Sequence, residues 1–348
     1  MPEIISDLEK LVDVSHQCGR RIEYTHAVSG NTSVKFGNGI MAIKQSGTAL
    51  KDMTVSSGFS AVSCTDMVDY VNKTIRKGVM PEKEVSLIAM DTIQQINGEP
   101  PARPSVEVGF HSILQKYVIH LHPCAPNVLM CSKGGMEKAA EVARRRNMKF
   151  ITVDYGLPGN ELLMKLVPKF DKFHQEHGCD ANVIFMKNHG IATTAETAEL
   201  AMELMDEIIN ALTVEFDMPE VHQAKIKKCP EGFENDSAWA AETAADGDLM
   251  NDIIFRVIEP SALEFTTQLS IREGEEAKIT IDKKGRMVFH TEDEHEAMKF
   301  EEAMIAFFYI YRTIKEKGWE YDIIPDSECC KVIGWTEEQY KAFIKSKE

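Results

Sequence analysis

The fold is decided around residues 117–123, which read YVIHLHP. This apolar stretch predicts a short buried strand from Tyr117 to Leu121, which Pro123 ends. Side chains at i and i+2 of a strand point to the same face, so His120 and His122 project side by side into one pocket. Two imidazoles in this arrangement are a common way to chelate zinc. The alternative is a pair of surface or core histidines without a metal.

A third histidine follows a second apolar strand. Residues 181–186 predict that strand, and Asn188-His189-Gly190 comes directly after it, where a histidine can reach a shared pocket edge. Three histidine ligands with an open fourth position are typical of a catalytic rather than a structural metal site. The sequence therefore predicts a divalent metal site, with zinc as the first choice and another divalent ion as the second, held by His120, His122 and His189.

A candidate carboxylate precedes the histidine strand, in the segment 104–111, which reads PSVEVGFH. If residues 105–115 are helical, Glu107 and His111 share a face and either could approach the metal. The alternative for Glu107 is a solvated glutamate in the first turn of a helix, where the helix dipole favours it. For His111, a buried histidine with a hydrogen-bond partner is a better interpretation than a metal ligand.

Two turns of small residues are candidate anion sites. Ser29-Gly30-Asn31 and Ser46-Gly47-Thr48 offer backbone N–H groups and hydroxyls to an anion. Ser105, near a predicted helix N-terminus, could add a third contribution. Each of these features, taken alone, is also typical of an ordinary turn.

Length, charge and cysteine content limit the class of protein. The 348 residues favour about two domains, and no apolar run approaches the roughly 18 residues that span a bilayer. A net charge of -16 argues against nonspecific binding to nucleic acid or to a membrane surface, although a small anion can still bind backbone amides. The N-terminus has no signal-peptide features, and the 8 cysteines are scattered without a CxxC pair. We therefore expect a reduced, cytoplasmic protein.

The periodicity of the chain predicts a regular first part and a different second part. Helices are predicted at 3–18, 82–97, 105–115, 136–147, 159–177 and 195–216, the last capped by Thr194. Residues 219–247 are polar and resemble a linker or a surface excursion. Two strands (278–281 and 286–290) and two helices follow, at 294–317 and 336–346, the second with a capping-box spacing between Thr336 and Gln339. We predict a catalytic domain over 1–218 and a small α+β extension of unknown role over 219–348.

Together, five segments resemble the class II aldolase/adducin family, nearest to its rhamnulose-1-phosphate and fuculose-1-phosphate aldolases. They are SGNTS at 29–33, SGT at 46–48, PSVE at 104–107, HLHP at 120–123 and KNHG at 187–190. Their order and approximate spacing match as well, and the resemblance covers about residues 5–216. It implies an α/β fold, a three-layer α/β/α sandwich around a mostly antiparallel central sheet. It also implies a homotetramer with active sites between subunits.

The resemblance implies a role for each matching residue. His120, His122 and His189 would bind zinc, and Glu107 would be the acid/base. Tyr155 matches approximately a tyrosine that family aldolases supply from a neighbouring subunit to protonate the aldehyde oxygen. The phosphate of dihydroxyacetone phosphate would be held by Gly30, Asn31, Ser46, Gly47 and Ser105. Val106 departs from the fuculose-phosphate pattern, which commonly has a second serine there, and valine cannot donate to phosphate.

The implied reaction is reversible cleavage of a ketose 1-phosphate into dihydroxyacetone phosphate and a short aldehyde such as lactaldehyde. An epimerase, dehydratase or decarboxylase of the same family would reuse the three histidines and is the first alternative. A non-catalytic, adducin-like scaffold is the second, and the presence of all three candidate ligands disfavours it. The expected partner is a small phosphorylated sugar, with no nucleic acid and no membrane.

Overall fold

The computed structural model describes residues 2–271, 277–334 and 336–347. Eight strands form the larger sheet in the order β4-β3-β2-β1-β5-β8-β7-β6. They are β1 (Asn31–Lys35), β2 (Ile40–Lys44), β3 (Phe59–Ser63), β4 (Ile93–Gln94), β5 (Tyr117–Leu121), β6 (Phe150–Val153), β7 (Val183–Met186) and β8 (Gly190–Ala195). The histidine strand β5 therefore lies in the middle of this sheet, between β1 and β8.

The sheet is mixed. β6 and β7 run parallel, whereas the other neighbouring strands pair antiparallel. A parallel pair needs a long crossover, which the helix Asn160–His177 supplies between these two strands. The prediction of a mostly antiparallel sheet is therefore corrected at this edge.

The helices of the first part pack on the sheet through two hydrophobic clusters. They are α1 (Pro2–Gly19), α2 (Cys64–Lys73), α3 (Val85–Met90), α4 (Val108–Ile113), α5 (Cys124–Met130), α6 (Gly135–Arg145), α7 (Asn160–His177) and α8 (Ala198–Glu215). Ile119 joins one cluster with Leu8 of α1 and Met205 of α8. Val118, its neighbour in β5, joins the other cluster with Leu163 of α7. The period-two alternation of the strand thus sends successive side chains into different clusters.

The second part of the chain forms a sheet of its own, in the order β11-β12-β13-β10-β9. Its strands are β9 (Ile226–Cys229), β10 (Gly232–Asn235), β11 (Leu269–Ser270), β12 (Ile279–Ile281) and β13 (Met287–Phe289). Its helices are α9 (Ala238–Ala244), α10 (Gly247–Phe255), α11 (Pro260–Thr266), α12 (Glu294–Glu316), α13 (Asp326–Ile333) and α14 (Glu337–Lys347). No helix among the residues described here is long and apolar enough to cross a membrane.

Helix α12 connects the two parts, because it packs on α5, the helix that directly follows His122 and Pro123. Phe307 and Tyr311 of α12 are buried in the same hydrophobic cluster as Leu129 of α5. The C-terminal part therefore contacts the segment that carries the candidate metal ligands.

Three local predictions are wrong. Residues 219–247 are neither a linker nor a surface excursion, since they contain the hairpin β9–β10 and α9, and Phe233, Ala240 and Ala244 are buried in the main hydrophobic cluster. The mostly polar strands and the small alanines of this segment give little apolar signal. The predicted helix 82–97 is only α3, and β4 follows it and pairs with β3. Thr194 lies in β8, between β5 and β7, and α8 is capped by Thr197, whose Oγ1 accepts from the Leu200 N–H at 3.2 Å.

The capping box at the last helix is confirmed. The Gln339 side chain accepts from the Thr336 N–H at 2.8 Å, and the Thr336 hydroxyl accepts from the Gln339 N–H at 3.2 Å. Both residues thus satisfy backbone donors that the helix itself leaves free.

Glu301 is a charged residue in the middle of α12 with no exposed surface. Burial raises the pKa of this carboxyl from 4.5 to about 8, and the backbone N–H of Lys225 offsets only part of the rise. Folding therefore favours the protonated form of Glu301 over a wide pH range.

This shift predicts a pH-dependent stability. Between the unfolded pKa of 4.5 and the folded pKa of about 8, the folded protein holds a proton that the unfolded chain has released. The free energy of unfolding therefore falls as the pH rises, by up to about 1.4 kcal/mol per pH unit. We expect Glu301→Gln to gain stability relative to wild type between about pH 5 and about pH 8 in urea denaturation. If the free energies of unfolding of the two proteins change with pH in parallel, this prediction is wrong.

Candidate metal centre

Two backbone features of the turn between β7 and β8, at Asn188 and at Gly190, bring His189 close to His120 and His122. His120 lies in β5, His122 follows that strand, and His189 lies in the turn between β7 and β8. Asn188 adopts a left-handed φ of 53°, which makes this turn short. A Cβ on Gly190 would approach the carbonyl oxygen of Leu121 to 2.3 Å, so only glycine lets the turn pack against β5.

The three imidazoles converge on one point. The Nε2 atom of His120 lies 3.2 Å from the Nε2 atom of His189 and 3.2 Å from that of His122. All three residues are buried, and together they form a group that could hold a metal ion. Zinc–nitrogen distances of about 2.0–2.1 Å would separate tetrahedral ligand nitrogens by about 3.4 Å. The spacing of these atoms therefore fits a divalent cation.

Hydrogen bonds at the Nδ1 atoms of His120 and His122 fix the tautomer of each ring. Nδ1 of His120 lies 3.0 Å from the carbonyl oxygen of Ile191, and Nδ1 of His122 lies 2.6 Å from a carboxylate oxygen of Glu259. Because these oxygens accept, each Nδ1 carries the proton and each Nε2 turns a lone pair to the centre. Burial lowers the pKa of both histidines to about 3, which keeps them in the neutral form that binds metals.

Glu107 faces the same point. Its Oε1 lies 3.0 Å from Nε2 of His189 and its Oε2 lies 3.2 Å from Nε2 of His120. Asn31 donates to Oε2 at 2.6 Å and so fixes the carboxylate. Burial alone would raise the pKa of Glu107, but the two imidazoles and the Asn31 hydrogen bond hold it well below its usual range. The alternative of a solvated glutamate is wrong, since only 4% of Glu107 is exposed.

His111 is a buried histidine outside this group, as the sequence predicts. Its Nδ1 lies 2.7 Å from the hydroxyl of Ser33, and it shows no exposed surface. It therefore belongs to the packing behind Glu107.

A cavity of about 410 Å³ opens in front of Glu107, His122 and His189. All the residues predicted to bind phosphate line it: Gly30, Asn31, Ser46, Gly47 and Ser105. Val106 also lines it. Gly30 has a φ of +68°, and a Cβ there would approach the His120 carbonyl oxygen to 2.7 Å, so the turn lies against β5 only because this residue is glycine.

Lys44 is a cavity residue that the sequence prediction missed. Its Nζ donates to the carbonyl oxygens of Val28 at 2.8 Å and of Thr48 at 2.6 Å, so it connects the two small-residue turns. Burial lowers the pKa of this amine to about 7. The available signal was a lysine that ends an apolar strand and is separated from Ser46-Gly47 by Gln45 alone.

The C-terminal part forms one wall of the cavity, which the sequence prediction also missed. This wall contains Pro260, Ser261, Glu264, Lys331 and Val332. Glu259, which precedes them, is 1% exposed, and burial raises the pKa of its carboxyl. The available signal was a charged residue between the apolar pair Val257-Ile258 and a proline that opens a helix.

Tyr155 does not line the cavity of its own chain. Its ring packs against the cluster that contains Cys329 and Tyr340, and its hydroxyl is buried without a hydrogen-bond partner among the described residues. Burial raises the pKa of this phenol. A role for Tyr155 in the active site of a neighbouring subunit stays a prediction.

These features agree with a family assignment. Residues 9–216 match the class II aldolase and adducin N-terminal domain, and the chain belongs to this family. Residues 217–348 lie outside the match. No curated protein matches the chain.

Several solved structures are similar to this chain. A class II aldolase domain from Thermoplasma acidophilum has 20% identity and a TM-score of 0.49, over 60% of this chain and 93% of that one. An L-fuculose-1-phosphate aldolase from Thermus thermophilus has 13% identity and a TM-score of 0.37, over 62% and 95%. A sugar-phosphate aldolase from Thermotoga maritima has 15% identity and a TM-score of 0.38, over 58% and 93%.

Proposed function

We propose that this protein is a metal-dependent aldolase, with zinc as the preferred ion. It would cleave a ketose 1-phosphate reversibly into dihydroxyacetone phosphate and a short aldehyde such as lactaldehyde. The observation that carries this proposal is the buried carboxylate of Glu107, which faces three converging imidazoles at the inner end of a cavity. We further propose a cytoplasmic homotetramer, on the basis of the family alone.

The residues of the site suit this chemistry. A divalent ion, when bound, supplies Lewis-acid stabilisation of the negative charge that develops beside the carbonyl as the carbon–carbon bond breaks. His120, His122 and His189 are the residues that would hold it. Glu107 lies next to this point and would give a proton to the carbon that loses its bonding partner, while the hydroxyl whose oxygen becomes the aldehyde gives up its own proton. Asn31 keeps the carboxylate of Glu107 in place through its 2.6 Å hydrogen bond.

The other end of the cavity suits a phosphate. The two turns present the backbone around Gly30 and around Ser46 and Gly47, and Ser105 adds a hydroxyl. Lys44 adds a buried amine directly behind both turns. Burial brings the pKa of this amine to about 7, and a bound phosphate would favour its protonated form. The resulting positive charge would replace the donor that Val106 does not supply, so a phosphorylated substrate is the preferred choice.

One observation favours the alternative reactions of the family. The hydroxyl of Tyr155, which the resemblance makes the proton donor to an aldehyde bound in a neighbouring subunit, is buried within its own chain against the cluster that contains Cys329 and Tyr340. An epimerase, a dehydratase or a decarboxylase would use the same histidines and Glu107 without that tyrosine. A non-catalytic scaffold is a weaker alternative, because it would gain nothing from a buried carboxylate held against three imidazoles.

The test is incubation of the metal-loaded protein with a panel of ketose 1-phosphates. We expect release of triose phosphate from at least one of them, and we expect chelation of the metal to abolish it. Identification of all products by NMR separates cleavage from epimerisation, dehydration and decarboxylation. The chelated protein, reloaded with zinc, is the control for irreversible damage. If every member of the panel is left intact by folded, metal-loaded protein, the aldolase proposal is wrong.

A further inference from the structure

One side chain in contact with the candidate metal ligands comes from outside the family match. Glu259 lies between α10 and α11, in the C-terminal part, and its Oε1 accepts a hydrogen bond of 2.6 Å from Nδ1 of His122. The hydroxyl of Ser261 donates to the same oxygen at 2.6 Å. Glu259 therefore determines which nitrogen of His122 carries the proton and how the ring is oriented.

The buried position of the Glu259 carboxylate needs an explanation, because it is unfavourable for folding. No more than 1% of the residue is exposed, and its Oε2 has no hydrogen-bond partner among the described residues. Within the described parts of the chain, no lysine or arginine forms an ion pair with Glu259. Its carboxylate is paired with His122 instead. A carboxylate buried in this way is costly for folding. The cost is understandable if the carboxylate strengthens His122 as a ligand.

A second connection runs from the C-terminal part to the turn that carries His189. The side-chain amide of Asn188 donates to the carbonyl oxygens of Ile258 at 2.9 Å and of Asp322 at 2.6 Å. Lys187 forms an ion pair of 2.8 Å with the carboxylate of Asp322. Because Asn188 has a left-handed φ of 53°, these bonds hold the turn in a conformation that is uncommon for a non-glycine residue. The C-terminal part thus contacts the surroundings of two of the three histidines.

We propose that Glu259 is a positioning residue of the metal centre, and that the C-terminal part is thereby an integral component of that centre. Glu259 keeps Nδ1 of His122 protonated and its Nε2 free and directed to the metal. A carboxylate on the outer nitrogen of a ligand histidine also raises the basicity of that ligand. This inference rests on the metal site of the proposed function.

The experiment measures metal binding by the full-length protein in three variants. Glu259→Gln keeps the volume and a neutral acceptor, whereas Glu259→Ala removes the acceptor altogether. Glu301→Gln is the matched control, because Glu301 is another buried glutamate of the C-terminal part that does not line the cavity. Zinc affinity is measured by competition with a chromophoric chelator, and the Co²⁺-loaded forms are compared by visible absorption. Melting of the metal-free proteins monitors folding.

We expect the Kd for zinc to rise about 10–100-fold in both Glu259 variants, more in the alanine variant, and to stay unchanged in the control. We also expect a shifted Co²⁺ spectrum, which a loss of folding stability alone would not produce. If Glu259→Ala does not fold, Glu259→Gln still decides the question. Wild-type affinity and spectrum in a folded Glu259→Gln variant would overturn this inference alone. Wild-type protein that binds no divalent metal would overturn the proposed metal site together with it.

Discussion

Replacing His120 with alanine is expected to abolish tight zinc binding. His120 is the central member of the histidine group, since its Nε2 lies 3.2 Å from those of both His122 and His189. Its loss would leave two imidazoles, and three protein ligands are the usual minimum of a catalytic zinc site. We therefore expect the Kd for zinc to rise more than about 100-fold. This exceeds the roughly 10–100-fold loss of metal affinity that is typical when a residue that hydrogen-bonds a metal ligand is removed.

The measurement is metal content after dialysis, together with chelator competition. His111→Gln is the matched control, because His111 is equally buried but hydrogen-bonds Ser33 instead of facing the other histidines. We expect this control to retain its zinc as long as it is folded. A His120→Ala protein that retains one tightly bound zinc per chain would show that the metal site lies elsewhere.

Local sequence patterns were sufficient for the part of the site that adjacent residues form. The period of two along β5 predicts that His120 and His122 share a face, and the structure places them so. The small-residue turns could be recognised because glycine at a left-handed φ leaves a sequence signal. Their convergence on one cavity, by contrast, could be expected only through the resemblance to a family.

Contacts that depend on tertiary packing had no such signal. Glu259 lies 137 residues after His122, and no local pattern connects the two positions. Threonine suits a helix cap, which is why the sequence predicts one at Thr194, yet pairing with β5 and β7 places this residue in a strand. The polar composition of residues 219–247 likewise gives no indication that they contain a hairpin and a helix. In each case the deciding interaction comes from a distant part of the chain.

The second large effect is expected at Glu107. Glutamine keeps the volume and an acceptor for Asn31 but cannot exchange a proton at the pH of catalysis. Removing a general acid/base typically costs about 10²–10⁴-fold in rate, and we expect the kcat of Glu107→Gln to fall by this factor. The three histidines are unchanged, so zinc should remain bound. Turnover of the best ketose 1-phosphate in the panel and zinc content are the two measurements.

Turnover and zinc content together show whether Glu107 transfers a proton or, like the histidines, helps to hold the metal. Loss of turnover with zinc retained indicates proton transfer by Glu107, whereas loss of both indicates that its carboxylate is needed to hold the metal, which its short distances to His120 and His189 also permit. Glu301→Gln, which alters a buried glutamate away from the cavity, should keep full turnover. A Glu107→Gln protein with wild-type kcat would assign the proton transfer to another group. Lys44 would then be the first to test, because burial brings the pKa of its amine to about 7 at the same cavity.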